Sequence, residues 1–231
     1  GPQNIIDYVT PTSTGNATDF GDLTATLSHH AGATSPTRAT WGGGIGDSNI
    51  IDFVEIATTG NATDFGDLSV GRNQVGGSSS STRGIWHGGY IHPAYNNVID
   101  YVEIASQGNA IDYGDLSVAR NIFSSGTNNS VKALISGGHS ADVLNTIDSI
   151  IISAGGTAVD FGDLSSTRWG AGGTSNAHGG LNDGYQGTRP APAGSGLALF
   201  AGGYDSAYTD KAEYINLKTL GNAADWGNLT T

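Results

Sequence analysis

From residue 98 the chain reads Val98-Ile99-Asp100-Tyr101-Val102-Glu103-Ile104-Ala105. Apolar and polar residues alternate there, and the apolar positions are β-branched or aromatic, which predicts a half-buried strand. Upstream, Arg83-Gly84-Ile85-Trp86-His87-Gly88-Gly89 predicts an apolar strand closed by a glycine pair. A variable loop, 90–97, separates the two, and residues 73–82 before them are small and polar. A further strand is expected around 110–117, so one unit holds four short strands. No stretch carries a helical apolar period, and an all-β chain is expected.

The same unit recurs. Residues 15–23 and 60–68 both read GNATDFGDL; 108–116 read GNAIDYGDL, 156–164 GTAVDFGDL and 221–229 GNAADWGNL. The anchor residues Asp19, Asp64, Asp112, Asp160 and Asp225 are spaced by 45, 48, 48 and 65 residues. A period of about 40–50 residues marks a stacked or radially repeated architecture. Glycine pairs fall at 43–44, 88–89, 137–138 and 202–203, each two residues after Trp41, Trp86, Ile135 or Phe200. The third-strand aromatic is Tyr8, Phe53, Tyr101 or Tyr214, with Ser149 as the exception. The fourth-strand aromatic is Phe20, Phe65, Tyr113, Phe161 or Trp226, three residues before a leucine. Arg72, Arg120 and Arg168 follow that leucine by four residues, and Leu27 takes the place in the first unit.

A glycine pair, an aromatic, an aromatic-x-x-Leu and an arginine, in that order, resemble the kelch repeat over nearly the whole chain. The usual fourth-strand tryptophan stands only at Trp226, so the resemblance is to a divergent form. The wording NxIDYVxIA followed by GNATDFGDLSxAR is similar to repeats in tail and virion-associated proteins of marine bacteriophages. The resemblance implies a five-bladed β-propeller with four-stranded blades in one domain, 1–231. The repeats are 4–23, 24–68, 69–116, 117–164 and 165–231. Segment 4–23 supplies only third and fourth strands, so about 18 strands are expected, and the first blade is a two-stranded closure of the ring, part of a longer repeat protein, or completed by another subunit. The last repeat is longer, and its excess, 178–195, reads as a loop between first and second strands.

Composition narrows the partners. The chain has 21 acidic against 9 basic residues, an unfavourable balance for a phosphate backbone, so no nucleic acid is expected. Charged residues are 13% and apolar residues 37%, a globular rather than disordered mixture. There is no cysteine, which removes disulfides and thiolate metal sites. No apolar run is long enough to span a bilayer, and no signal-peptide pattern is present. Gly1-Pro2 reads as a scar of tag cleavage.

Several groups could carry chemistry. The paired aspartates Asp19/Asp22, Asp64/Asp67, Asp112/Asp115 and Asp160/Asp163 could hold Ca²⁺. Their recurrence points instead to a turn or bulge braced by Asp, and no cofactor is expected. Glu55 and Glu103 occupy repeated positions, unlike the paired carboxyls of a glycosidase. His29, His30, His87, His92, His139 and His178 lack metal-ligand spacing. The loops 45–49, 90–97, 139–145 and 204–210 differ from repeat to repeat, and the last three carry Tyr, His, Asn and Asp. In a propeller they share one face with the links between blades. Tyr90, His92, Tyr95, His139, Tyr204 and Tyr208 are therefore the expected ligand-binding residues. The expected function is recognition without catalysis, on a phage tail fibre or virion surface outside the cell, of a host glycan or surface protein. The alternative is an assembly propeller that docks another virion or tail subunit, or further copies of itself, through its incomplete blade. A glycan hydrolase is the least supported reading.

Overall fold

The structure is a computed structural model and describes residues 1–122, 126–175 and 196–230. All regular elements among the described residues are strands. A two-stranded sheet comes first, β1 (Gln3–Tyr8) with β2 (Thr18–Leu27). The second sheet holds β3 (Ala31–Thr34), β4 (Arg38–Gly42), β5 (Ile50–Glu55) and β6 (Thr63–Asp67). The third holds β7 (Gly76–Ser79), β8 (Arg83–His87), β11 (Val98–Glu103) and β12 (Ile111–Asp115), with the hairpin β9 (Tyr90–Ile91) and β10 (Ala94–Tyr95) between β8 and β11. The fourth holds β13 (Thr127–Asn128), β14 (Lys132–Ser136), β15 (Thr146–Ile151) and β16 (Val159–Asp163). The fifth holds β17 (Gly172–Ser175), β18 (Leu197–Ala201), β21 (Lys211–Asn216) and β22 (Ala224–Asn228), with the hairpin β19 (Tyr204–Asp205) and β20 (Ala207–Tyr208) between β18 and β21. Every pairing is antiparallel between neighbours in this order. The all-β expectation holds, and so do four strands in each full repeat and two in the first. The two short hairpins lie inside stretches expected to be loops. The 178–195 insertion lies outside the described residues.

Successive sheets pack face to face, with one apolar cluster in each interface. Phe20 and Leu23 of the first meet Val54 and Ala62 of the second. Phe53, Phe65 and Leu68 meet Trp86, Val102 and Ile104. Tyr113 and Leu116 meet Ile135, Ile150 and Ile152. Phe161 and Leu164 meet Phe200, Ile215 and Leu217. Each buried side chain of this size contributes about 1.5–3 kcal/mol. The first strands touch one another, β3 against β7, β7 against β13, and β13 against β17. That crowding explains their Gly, Ala, Ser and Thr content: a Cβ on Gly77 would strike the backbone of Gly32.

The recurring nonapeptide both shapes its own strand and stitches sheets together. Its aspartate makes a local turn: the amides of Gly66, Gly114, Gly162 and Gly227 donate to Oδ1 of Asp64, Asp112, Asp160 and Asp225 at 2.9–3.1 Å. The bulge falls in the same strand, where Phe65, Tyr113, Phe161 and Trp226 are the extra residues opposite β5, β11, β15 and β21. The second role is between sheets. Gly60 N donates to Phe20 O and Ala62 N to Asp22 O, both at 2.8 Å, while Asp22 N donates to Asn61 Oδ1 at 3.1 Å. The next joints repeat the backbone bonds, with Gly108, Gly156 and Gly221 reaching Phe65, Tyr113 and Phe161. In these joints the fourth-strand glycine faces the next repeat so closely that a Cβ on Gly66 would run into the Gly108 carbonyl. In the pairs Asp64/Asp67, Asp112/Asp115 and Asp160/Asp163 the first aspartate thus braces the bulge with its carboxylate, and the second lends its backbone to the joint.

The arginine spacing has a buried explanation. Arg72, Arg120 and Arg168 have fully buried side chains and pair with Asp100, Asp148 and Glu213 in the third strand of their own sheet. Arg72 is the best satisfied: Nη1 donates to Asp100 Oδ2 at 2.7 Å and Nε to Gly88 O at 2.7 Å. Burial pulls each of these guanidinium pKa values down, opposed at Arg72 and Arg120 by the partner carboxylate. In the second sheet Leu27 replaces the arginine, and Asp52 instead accepts from Thr24 N at 2.9 Å and Thr24 Oγ1 at 2.7 Å.

Candidate functional site

The glycine pairs aim the chain out of the second strand into the variable loops. Gly88 and Gly89 have φ of 61° and 119°, and Gly137 and Gly138 of 60° and 108°, values that side-chain-bearing residues seldom adopt. The link before each sheet then fastens two neighbouring loops. Arg72 N donates to Ser48 O at 3.1 Å, and Asn73 and Tyr90 exchange backbone bonds at 3.0 and 2.7 Å. Asn121 bridges in the same way to His139, and Trp169 to Tyr204. Loops and links therefore form one surface at one end of the sheets.

A cavity of about 470 Å³ opens in that surface, lined by Gln74, Tyr90, Tyr95, Asn121, His139, Val143, Trp169 and Tyr204. Tyr90 and Tyr95 lie with ring centroids 5.2 Å apart, and Tyr95 and His139 at 5.5 Å. Tyr95 Oη and His139 Nδ1 share a 2.7 Å hydrogen bond, and Asn121 Nδ2 donates to Gln74 Oε1 at 2.6 Å. A neighbouring cavity of about 600 Å³ is lined by Trp169, Gly170, Gly203, Tyr204 and Tyr208. Trp169 and Tyr204 form the wall common to both, their rings 5.8 Å apart. Among the described residues, no Asp, Glu, Lys or Arg lines either cavity.

Four of the six residues expected from the sequence, Tyr90, Tyr95, His139 and Tyr204, come together in the first cavity. Tyr208 lines the second, stacks on Tyr204 at 5.1 Å and is 89% exposed. His92 lines neither; it bonds Tyr90 Oη through Nδ1 at 3.2 Å on the outer side. Sequence reasoning missed Gln74, Asn121, Val143 and Trp169. The signal for Gln74, Asn121 and Trp169 was position: they stand one or two residues after the recurrent arginines.

The other titratable groups are occupied elsewhere. Glu55 and Glu103 bond Arg38 and Arg83 at 2.6 Å across one strand pair, the same contact in two sheets. His87 is fully buried, with Nε2 3.2 Å from Ser78 Oγ, and burial lowers its pKa to about 3. His29 and His30 lie in the turn before β3, and His178 lies outside the described residues. Among the described residues, no three His, Asp or Glu side chains gather as a metal site would require.

No protein-family model matches the chain, and no curated protein matches it.

Proposed function

We propose that this chain is a non-catalytic recognition module, a divergent kelch-like β-propeller of five blades with the first incomplete. Five sheets packed in chain order, first strands in mutual contact and loops gathered at one end support that architecture. The ligand is a host glycan, held at the surface of a virion or tail fibre outside the cell. The observation that carries the reading is the cavity where Tyr90, Tyr95, Trp169 and Tyr204 converge with Gln74, Asn121 and His139. Aromatic faces stack on the apolar face of a pyranose, and amides and imidazole bond its hydroxyls. Among the described residues the lining has no Lys or Arg to meet a carboxylate or sulfate, which favours a neutral sugar. Several copies in one virion multiply a weak contact into useful avidity.

A glycan array tests this directly. Wild-type protein binds neutral glycans in preference to sialylated or sulfated ones, and the Tyr90→Ala/Tyr95→Ala variant loses the signal. Failure to bind any glycan, with no binding to host cells, sinks the reading.

A second reading, assembly with another subunit, is favoured by one separate observation. Among the described residues, the first sheet has two strands where the others have four, and one edge of β1 has no partner.

A further inference from the structure

The empty half of the first sheet has a definite shape, because the chain contains four filled versions of it. In every other sheet the third strand is bonded on both edges, as β11 is to β8 and β12. Among the described residues, β1 is bonded to β2 alone. Three further positions register the same opening: Asp7, Trp41 and Ile56. The third-strand acid is buried in Asp52, Asp100, Asp148 and Glu213, and its counterpart Asp7 is exposed, with no ion pair among the described residues. Trp86, Ile135 and Phe200 are sealed against the preceding sheet, and Trp86 Nε1 donates to Ala31 O there at 2.9 Å. Their counterpart Trp41 is partly open. Ile104, Ile152 and Leu217 are buried, whereas Ile56 at the same repeat position is 46% exposed. The carbonyls of Ile104 and Ile152 accept from Arg38 and Arg83, the first residues of second strands in the preceding sheets. Between β1 and Trp41 lies a cavity of about 420 Å³, lined also by Leu23, Leu27, Ser28 and His30.

We infer that this edge and cavity are the docking site for a partner polypeptide that presents an inner half-repeat. The partner is an antiparallel hairpin of a small-residue strand and an aromatic or aliphatic strand, preceded by an arginine that pairs with Asp7. The inference rests on the assembly reading above. Strand addition to the open edge supplies affinity through the main chain, and the pockets at Trp41 and Asp7 supply register. Each element of the partner is specified by its internal equivalents. Arg72 four residues before β7 reaches Asp100, and the tryptophan of β8 packs on the neighbouring sheet. A cation at the start of the second strand, as in Arg38 and Arg83, meets the Ile56 carbonyl. A second copy of this chain in its folded form does not fit, because its own inner hairpins are paired within its sheets.

The probe is a labelled synthetic peptide with the sequence of residues 69–89, added to the full chain. Anisotropy reports binding, and hydrogen exchange reports slowed amides in residues 3–8. Changing the first of the two peptide arginines, the one taken from Arg72, to methionine, or Asp7→Asn in the protein, lowers affinity about tenfold, and combining them adds little further. Asp7 is exposed, so the variant keeps the fold. As a second measurement, the sequence 71–89 is fused directly after Thr231, which again places an arginine four residues after a leucine. Protection of residues 3–8 in either arrangement, lost with Asp7→Asn, supports the site. Absence of protection in both, or binding indifferent to both charge changes, overturns it. If light scattering shows association of the chain while β1 amides stay unprotected, the hairpin site is overturned and the assembly reading stands.

Discussion

The joints between sheets and the loop cavity are built from opposite kinds of sequence. At the joints the chain says the same thing each time. A glycine and an alanine amide reach back to the previous sheet, a fourth-strand aromatic fills the interface, and an asparagine bonds a backbone amide in three of the four. At the cavity the chain varies what it places at matching positions: Tyr90, His139 and Tyr204 each follow a glycine pair, and the loop of Tyr90 adds Tyr95. Repetition marks the residues that solve the same packing problem in each sheet. Departure from repetition, on a surface that packing does not constrain, marks where a ligand can be specified.

The contrast breaks most visibly where a joint has no second half. Phe161 is 2% exposed beneath the fifth sheet, while Trp226 at the same repeat position is 62% exposed on the outer face of that sheet. Phe161→Ala is expected to cost about 3–5 kcal/mol, and Trp226→Ala no more than about 0.5 kcal/mol, in urea melts of the two variants. A similar loss for both would mean that the Trp226 face is covered in solution. The buried charges sharpen the same point. Arg72→Met leaves Asp100 buried without its cation and is expected to cost about 3–5 kcal/mol by the same measurement. Arg72→Met/Asp100→Leu recovers much of that loss.

His87 gives the scaffold a pH response. Its folded pKa is lowered to about 3 by burial, with Arg120 and Arg72 adding to the shift. The unfolded chain therefore binds a proton near pH 6.5 that the folded chain refuses. Stability is fully present above pH 6.5 and falls as pH drops toward 3, by up to about 1.4 kcal/mol per pH unit. His87→Gln flattens that dependence between pH 6 and 4, read as the slope of melting temperature against pH. The smallest effect belongs to the one joint without asparagine. Thr157 stands where Asn61, Asn109 and Asn222 accept from the amides of Asp22, Asp67 and Asp163. Thr157→Asn supplies the missing acceptor for Asp115 and is expected to stabilise by about 0.5–1 kcal/mol in thermal melts.

Much of the architecture was legible because the repeat reports it several times over. The four-strand division, the glycine pairs, the Asp-Gly bulges and the two-stranded first sheet all follow from aligning the chain with itself. What stayed hidden was contact between distant residues. The spacing of Arg72, Arg120 and Arg168 was plain, and so was an acid in the middle of each apolar third strand. Their pairing joins residues 28 positions apart for Arg72 and Asp100, which no local pattern reports. The loop tyrosines were found because the loops that carry them change from repeat to repeat. Gln74, Asn121 and Trp169 were not, because links beside invariant arginines read as connectors until β-bridges to Tyr90, His139 and Tyr204 place them at the cavity. The hairpins β9–β10 and β19–β20 escaped because two-residue strands are too short to show an alternation.

The central claim is that the repeated positions carry the fold and the non-repeating cavity carries recognition. Its most direct test is the Tyr95→Ala/Tyr204→Ala variant, read for melting temperature and for binding to the glycan that the wild type selects. The account predicts a melting temperature within about 3 °C of wild type and binding reduced at least tenfold. Unchanged binding, or a loss of binding that tracks a collapse of the melting temperature, contradicts it.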